Sequence, residues 1–194
     1  MTRWIITPQT APAVIRACSK CGGQSRFVCS HKFRVNANGN NLDVWLIYKC
    51  QTCDTTWNME LFARVKPRQL DSALYQRFLS NDAATAMYYA CDASTLGKNK
   101  AVVSYDDVAY TVEKASLPKE ADGIEIVSEY DLGIRLDKLL SEELDISRMK
   151  VKAMLKHGEI AGRDMELSPK TKVKGVLHLY LKARAAEQPR SKAL

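Results

Sequence analysis

Residues 18–54 read CSKCGGQSRFVCSHKFRVNANGNNLDVWLIYKCQTCD, so two CxxC pairs stand 28 residues apart, counted from Gly22 to Lys49. Between them, RFVCSHKFRV (26–35) and LDVWLIYK (42–49) are rich in β-branched and aromatic residues, and the Asn38-Gly39 pair suits a tight turn. The spacing predicts an antiparallel hairpin, which returns its two ends to one place. Cys18 and Cys21 then lie beside Cys50 and Cys53.

Four thiolates in two short turns are what tetrahedral zinc requires, and four protein ligands leave no open position for substrate or water. The expectation is a structural Zn2+ that holds the hairpin together. A dithiol redox site and unligated thiols are the competing readings of CxxC. Gly22 suits the backbone turn after the second thiolate of its pair; Asp54 stands at the matching place in the other pair and is the next most tolerant residue. Cys29 and His31 share strand parity with Phe27, Phe33 and Val35, which predicts core or half-buried positions and not ligands. Cys91 is read as a small apolar core residue, and His178 as a strand residue without special chemistry.

The composition is that of a soluble globular chain: 194 residues, 46% hydrophobic, six cysteines and net charge +7. From Met1 to Leu132 there are 15 Lys/Arg against 14 Asp/Glu, and from Gly133 onward 14 against 8, so +6 of the +7 lies in the last third. A local basic surplus suits a polyanionic partner, although a solvated lysine-rich face needs none. The opening MTRWIITPQTAP is too weakly apolar for a secretory signal, and no apolar run reaches the ~18 residues of a membrane span. These features lead to an expected cytoplasmic protein without a membrane partner.

Three segments are expected: 1–60 around the cysteines, 61–123 as a helical middle region, and 124–194 with a basic tail. In the middle, PRQLDSALYQRFLS (67–80) and NDAATAMYYACD (81–92) predict two short helices, the second capped by Asn81 or Asp82. AVVSYDDVAYTVE (101–113) predicts a small hairpin around Asp106-Asp107, and KASLPKEADG (114–123) a linker. Further on, Leu136, Leu139, Leu140 and Leu144 form one helical stripe. SRMKVKAMLKHGEI (147–160) opens on a serine cap and stops at Gly158. Arg148, Lys152 and Lys156 fall within an arc of about 80° on that second helix. GEIAGRD (158–164) and KVKGVLHLYLK (172–182) predict a closing strand pair.

Catalytic signatures are weak. His157-Gly158-Glu159 matches the H-x-E of zinc deaminases, but both CxxC pairs precede it and already complete a ligand set. There is no G-x-S-x-G, phosphate-binding loop or HExxH. The chain is therefore expected not to be an enzyme.

RLDKLLSEELDISRMKVKAMLKHGEIAG (135–162) resembles the small RNA-binding domain named after protein four of the small ribosomal subunit, here called S-four-like. That resemblance implies a helix–helix–hairpin unit that docks on structured RNA, with Arg135, Lys138, Arg148, Lys152 and Lys156 as contacts. The sequence departs from the pattern at Ala161 and Val176. Over nearly its whole length, through CSKCGGQSRF, FRVNANGNNLDVWLIYKCQTCDTTWN and RLDKLLSEEL, the chain also resembles the bacterial family of domain of unknown function 1062. The expectation is thus an α+β protein with an N-terminal zinc-ribbon β-hairpin, a small helical and hairpin middle region and a C-terminal S-four-like unit. Its expected function is that of a non-catalytic adaptor for structured RNA, ribosomal or transfer RNA. The alternative is a protein-interaction or regulatory module with a protein partner.

Overall fold

The computed structural model describes residues 1–117 and 123–181. The proposed linker around Pro118 and the basic tail KARAAEQPRSKAL (182–194) lie wholly or partly outside them. Along the chain run β1 (Thr2–Pro8), β2 (Ala13–Cys18), β3 (Gly23–Asn38), β4 (Asn41–Cys50) and β5 (Thr56–Val65). A 3-10 turn at Pro67–Gln69 leads to α1 (Ser72–Leu79), α2 (Ala83–Cys91), α3 (Ala93–Lys98), β6 (Val102–Ser104) and β7 (Tyr110–Ser116). The last elements are β8 (Gly123–Ser128), α4 (Leu136–Glu143), α5 (Arg148–Lys156), β9 (Ile160–Gly162) and β10 (Gly175–Leu181). Two compact units result: Met1–Ile6, Val112–Glu129 and Gly133–Leu194 form one, and Thr7–Thr111 with Tyr130–Leu132 the other.

The cysteine-bearing unit contains a sheet of order β5-β4-β3-β2-β6. Strand β4 alternates strictly, with Leu42, Val44, Leu46, Tyr48 and Cys50 all buried, which is the period of two that a one-sided sheet requires. Phe33, Val44, Leu46, Met59, Phe78, Ala86 and Ala90 form its core, with helix residues closing the inner face. Each helix begins on an aspartate whose carboxylate accepts an early backbone N–H: Asp71 from Leu74, Asp82 from Thr85 and Asp92 from Thr95. The predicted pair of helices is thus present, shorter than the periodicity suggested, and α3 is an addition. The turn between β3 and β4 centres on Gly39-Asn40, with Gly39 at φ 59°, so the first central position carries the glycine.

The other unit holds a sheet of order β7-β1-β8-β10-β9. β1 pairs parallel with β8 (Trp4 opposite Ile126), and β10 pairs antiparallel with both β8 and β9. Trp4, Ile6, Ile124, Ile126, Leu177 and Leu179 are buried from the sheet; Leu136, Leu139, Leu140 and Val151 are buried from the two helices. Ser147 caps α5 by accepting the N–H of Lys150, and Gly158 ends it at φ 69°.

The expected fold class is corrected. Among the described residues the protein is mostly β, with 44% strand and 24% helix in two sheets, and they do not build a self-standing S-four-like helix–helix–hairpin. The reason lies in β10: it is hydrogen-bonded on both sides, so it is an interior strand and not one arm of a terminal hairpin. The cysteine hairpin is likewise the middle of a five-stranded sheet and not a free ribbon domain. The hairpin expected over 101–113 does not form either. β6 pairs with β2, whereas β7 neighbours β1 in the other sheet, so Asp106-Asp107 turns the chain from one sheet to the other.

One core position is imperfectly satisfied. The Tyr48 hydroxyl is buried and has no hydrogen-bond partner among the described residues, and burial drives its pKa upward. An unpaired buried hydroxyl costs about 1–3 kcal/mol. Tyr48→Phe keeps the ring against Trp57 and is expected to raise stability by about 1 kcal/mol in urea unfolding, with the slope of the transition unchanged.

Candidate metal centre and basic helix

β2 and β4 both run antiparallel to β3, so their C-terminal ends meet at one end of the sheet. Cys18 ends β2 and Cys50 ends β4, and each strand then enters a tight turn that supplies the second cysteine of its pair. The turns are built alike: Gly22 N–H donates to Cys18 C=O at 3.0 Å, and Asp54 N–H to Cys50 C=O at 2.9 Å. Gly22 takes φ 75° and Asp54 φ 60°, so an aspartate does fill the left-handed position in the second turn.

All four sulfurs lie within 4.8 Å of one another, with Cys18–Cys53 at 3.5 Å and Cys21–Cys50 at 3.8 Å. Metal–sulfur bonds of about 2.3 Å in a tetrahedron place sulfurs about 3.8 Å apart, so the cluster has the size a metal ion needs. None of the four is in a disulfide. The Cys21 backbone N–H pushes the Cys18 thiol down to about 6. Burial pushes Cys50 upward, but N–H groups of Thr52 and Cys53 outweigh it and leave the thiol below its ordinary value. Hydrogen bonding with the Cys53 thiol, then burial, raises Cys21 to about 12.

Cys29 and His31 stay outside this cluster. Cys29 lies opposite Tyr48, packed against the core, and burial pushes its thiol up to about 11. His31 is half-buried with its Nδ1 enclosed, and it lies in a bulge: register slips between Cys29 and Lys32, leaving Ser30 and His31 without partners in the ladder, with His31 at φ 55°. The strand then resumes in phase, so Phe33 buries like Phe27. Cys91 is buried as expected, its thiol raised to about 12 by burial. His178 sits between Glu125 (3.4 Å) and Asp164 (3.5 Å), a pairing that strand parity did not announce.

The five basic candidates separate into two kinds. Asp137, with a side chain 0% exposed, accepts Arg135 Nε and a terminal guanidinium nitrogen at 3.1 Å each, and an Arg148 guanidinium nitrogen at 2.9 Å. Burial pushes the Asp137 carboxyl upward, but the Arg148 and Arg135 donors outweigh it and hold it below its usual range. Arg135 and Arg148 are therefore partly committed inside the protein. Lys138 lies 3.9 Å from Glu142. Lys152 and Lys156 are exposed, one turn apart on α5, and form no ion pair among the described residues. Residue type and spacing do not announce that Asp137 ties the two arginines.

Fold and site together define a two-sheet protein carrying a four-cysteine centre of metal-binding size, without a helix long and apolar enough to cross a membrane among the described residues. Residues 35–166 match the family model described as protein of unknown function (DUF1062), and the chain belongs to that family. The match includes Cys50 and Cys53 and the whole of α4 and α5. Neither a curated protein nor a solved structure matches the chain.

Proposed function

We propose that this chain is a zinc-binding, non-catalytic adaptor of the cytoplasm that holds structured RNA, ribosomal or transfer RNA, on the exposed face of α5. The observation that carries the reading is the pair Lys152 and Lys156, exposed and without an ion pair among the described residues, beside two arginines that keep outward N–H groups. Phosphates are the polyanion such a surface suits, and duplex RNA is read mostly through backbone and shape. Zinc is favoured at the cysteines because four sulfur donors of this spacing suit it, and a reducing compartment keeps them available. Four ligands also complete a tetrahedron, which fits a structural ion and not a catalytic one.

The test is the double variant Lys152→Glu/Lys156→Glu against a folded RNA such as bulk transfer RNA. Affinity is expected to fall more than ten-fold, the salt slope to drop by about 2, and metal content to stay unchanged. Arg148 must be left intact, since a glutamate there would face the Asp137 carboxylate and confuse folding with binding. Undiminished RNA retention, or a stoichiometric protein partner in place of RNA on purification, would overturn the reading.

A further inference from the structure

The face of the cysteine-bearing sheet turned away from its core carries a second cationic surface. Burial alternation and register place three cross-strand rows there: Arg34, Trp45 and Glu60; Lys32, Ile47 and Asn58; Val28, Lys49 and Thr56. The Arg34 guanidinium lies over the Trp45 ring, 5.8 Å from its centroid. Lys32, Arg34 and Lys49 form no ion pair among the described residues. Of the acids, Glu60 is paired with Lys98 at 3.1 Å, and Asp43, one position beyond Trp45's row, accepts the Arg64 backbone N–H. The three cations and the indole fall on rows two residues apart along β4, so they span about 14 Å of an open, slightly twisted surface.

We infer that this face binds single-stranded nucleic acid, with a base stacked on Trp45 and phosphates on Lys32, Arg34 and Lys49. Charge complementarity selects a polyanion, since Lys32, Arg34 and Lys49 form no ion pair among the described residues while both acids of the face are engaged elsewhere, Glu60 by Lys98 and Asp43 by the Arg64 N–H. The half-buried indole selects the strand state: a base can leave a single strand to stack, whereas a duplex keeps its bases to itself. The rows present no fixed donor and acceptor set for base edges, so binding is tolerant of sequence and steep in salt. This site is independent of the surface on α5, and neither needs the other.

Anisotropy of fluorescein-labelled dT12 and rU12, titrated with the metal-loaded full chain at low salt, tests it alongside tryptophan fluorescence. Saturable binding with tryptophan quenching is expected. Trp45→Ala and Arg34→Glu should each weaken it at least ten-fold, while Trp45→Phe keeps most of the affinity and loses most of the quench, because Trp4 is buried and Trp57 lies under Arg16. Lys152→Glu/Lys156→Glu should leave oligonucleotide binding unchanged, which separates failure here from failure of the structured-RNA reading. No saturable binding, undiminished affinity in Arg34→Glu and Trp45→Ala, or loss of binding in the α5 variant would each overturn the inference. Should Trp45→Ala not fold, Trp45→Phe and Arg34→Glu decide it.

Discussion

Cys50→Ser is expected to reduce bound metal from one ion per chain to near none and to lower the unfolding midpoint sharply, with the damage concentrated at 18–23 and 50–55. Cys50 is 0% exposed and sits opposite Phe27, where the end of β4 meets the core. Its sulfur is one of four within 4.8 Å, so its loss leaves three donors where four complete the coordination shell. A metal held here would bind only the folded arrangement, because folding alone brings the two turns together; free metal at ~1,000 times its dissociation constant would stabilise by about 4 kcal/mol, and that is the amount at stake. The sheet has its own core in Phe33, Leu46, Met59 and Phe78, so the variant should stay largely folded while its knuckle end opens. Elemental analysis, thermal unfolding with and without a chelator, and hydrogen exchange read the three parts. Cys29→Ser is the control: it should keep a full metal content, since Cys29 faces Tyr48 and not the cluster. Retention of one ion and an unchanged midpoint in Cys50→Ser would show that the cysteines only pack.

The cysteine centre was legible because its signal is local. Two CxxC pairs flanking one hairpin fix both the ligands and their meeting place, and the tolerance of Asp54 for positive φ could be read from its residue type. The helices near 72–91 and 136–156 were legible through apolar spacing and caps, which also act within a few residues. What was not legible was pairing between strands far apart along the chain; the neighbouring pairs β3–β4 and β9–β10 form as expected. RWIITP (3–8) and GIEIVS (123–128) alternate plainly, but their parallel pairing joins positions some 120 residues apart, as Trp4 with Ile126, and nothing local specifies it. For the same reason the second neighbour of β10, strand β8, was not legible, and the segment around Asp106-Asp107 looked like a hairpin. The His31 bulge was hidden for a related reason: two extra residues restore the original parity, so the hydrophobic pattern on either side is undisturbed.

Asp137 was missed because its neighbours on the chain describe an ordinary helix start, and its importance comes from Arg148, eleven positions away. Its carboxylate is fully buried and takes both donors of the Arg135 fork plus one from Arg148, while the arginines themselves are 40% and 49% exposed. The asymmetry decides which substitution hurts. Arg148→Ala frees one oxygen lone pair but leaves the Arg135 fork in place, whereas Asp137→Asn replaces a carboxylate by an amide whose NH2 faces a guanidinium. A hydrogen bond to a charged group contributes about 1.5–3 kcal/mol, and the exposed arginines recover part of that from water, so Asp137→Asn should cost about 3 kcal/mol and Arg148→Ala about half as much. Arg148→Glu should exceed Arg148→Ala, because it sets a second carboxylate against the first, while Lys152→Glu one turn away should stay within about 0.5 kcal/mol of the parent. The pH dependence has a definite sign. The folded-state pKa of Asp137 is depressed, so its contribution is complete above the unfolded value of about 4 and disappears as pH falls through the lower folded value. Urea unfolding at pH 7 and again near pH 3 should therefore show the gap between the parent and Asp137→Asn narrowing in acid. A gap that is the same at both pH values, or an Arg148→Glu variant as stable as Arg148→Ala, would mean that the charge of the buried carboxylate, held by its two arginines, adds nothing to the fold.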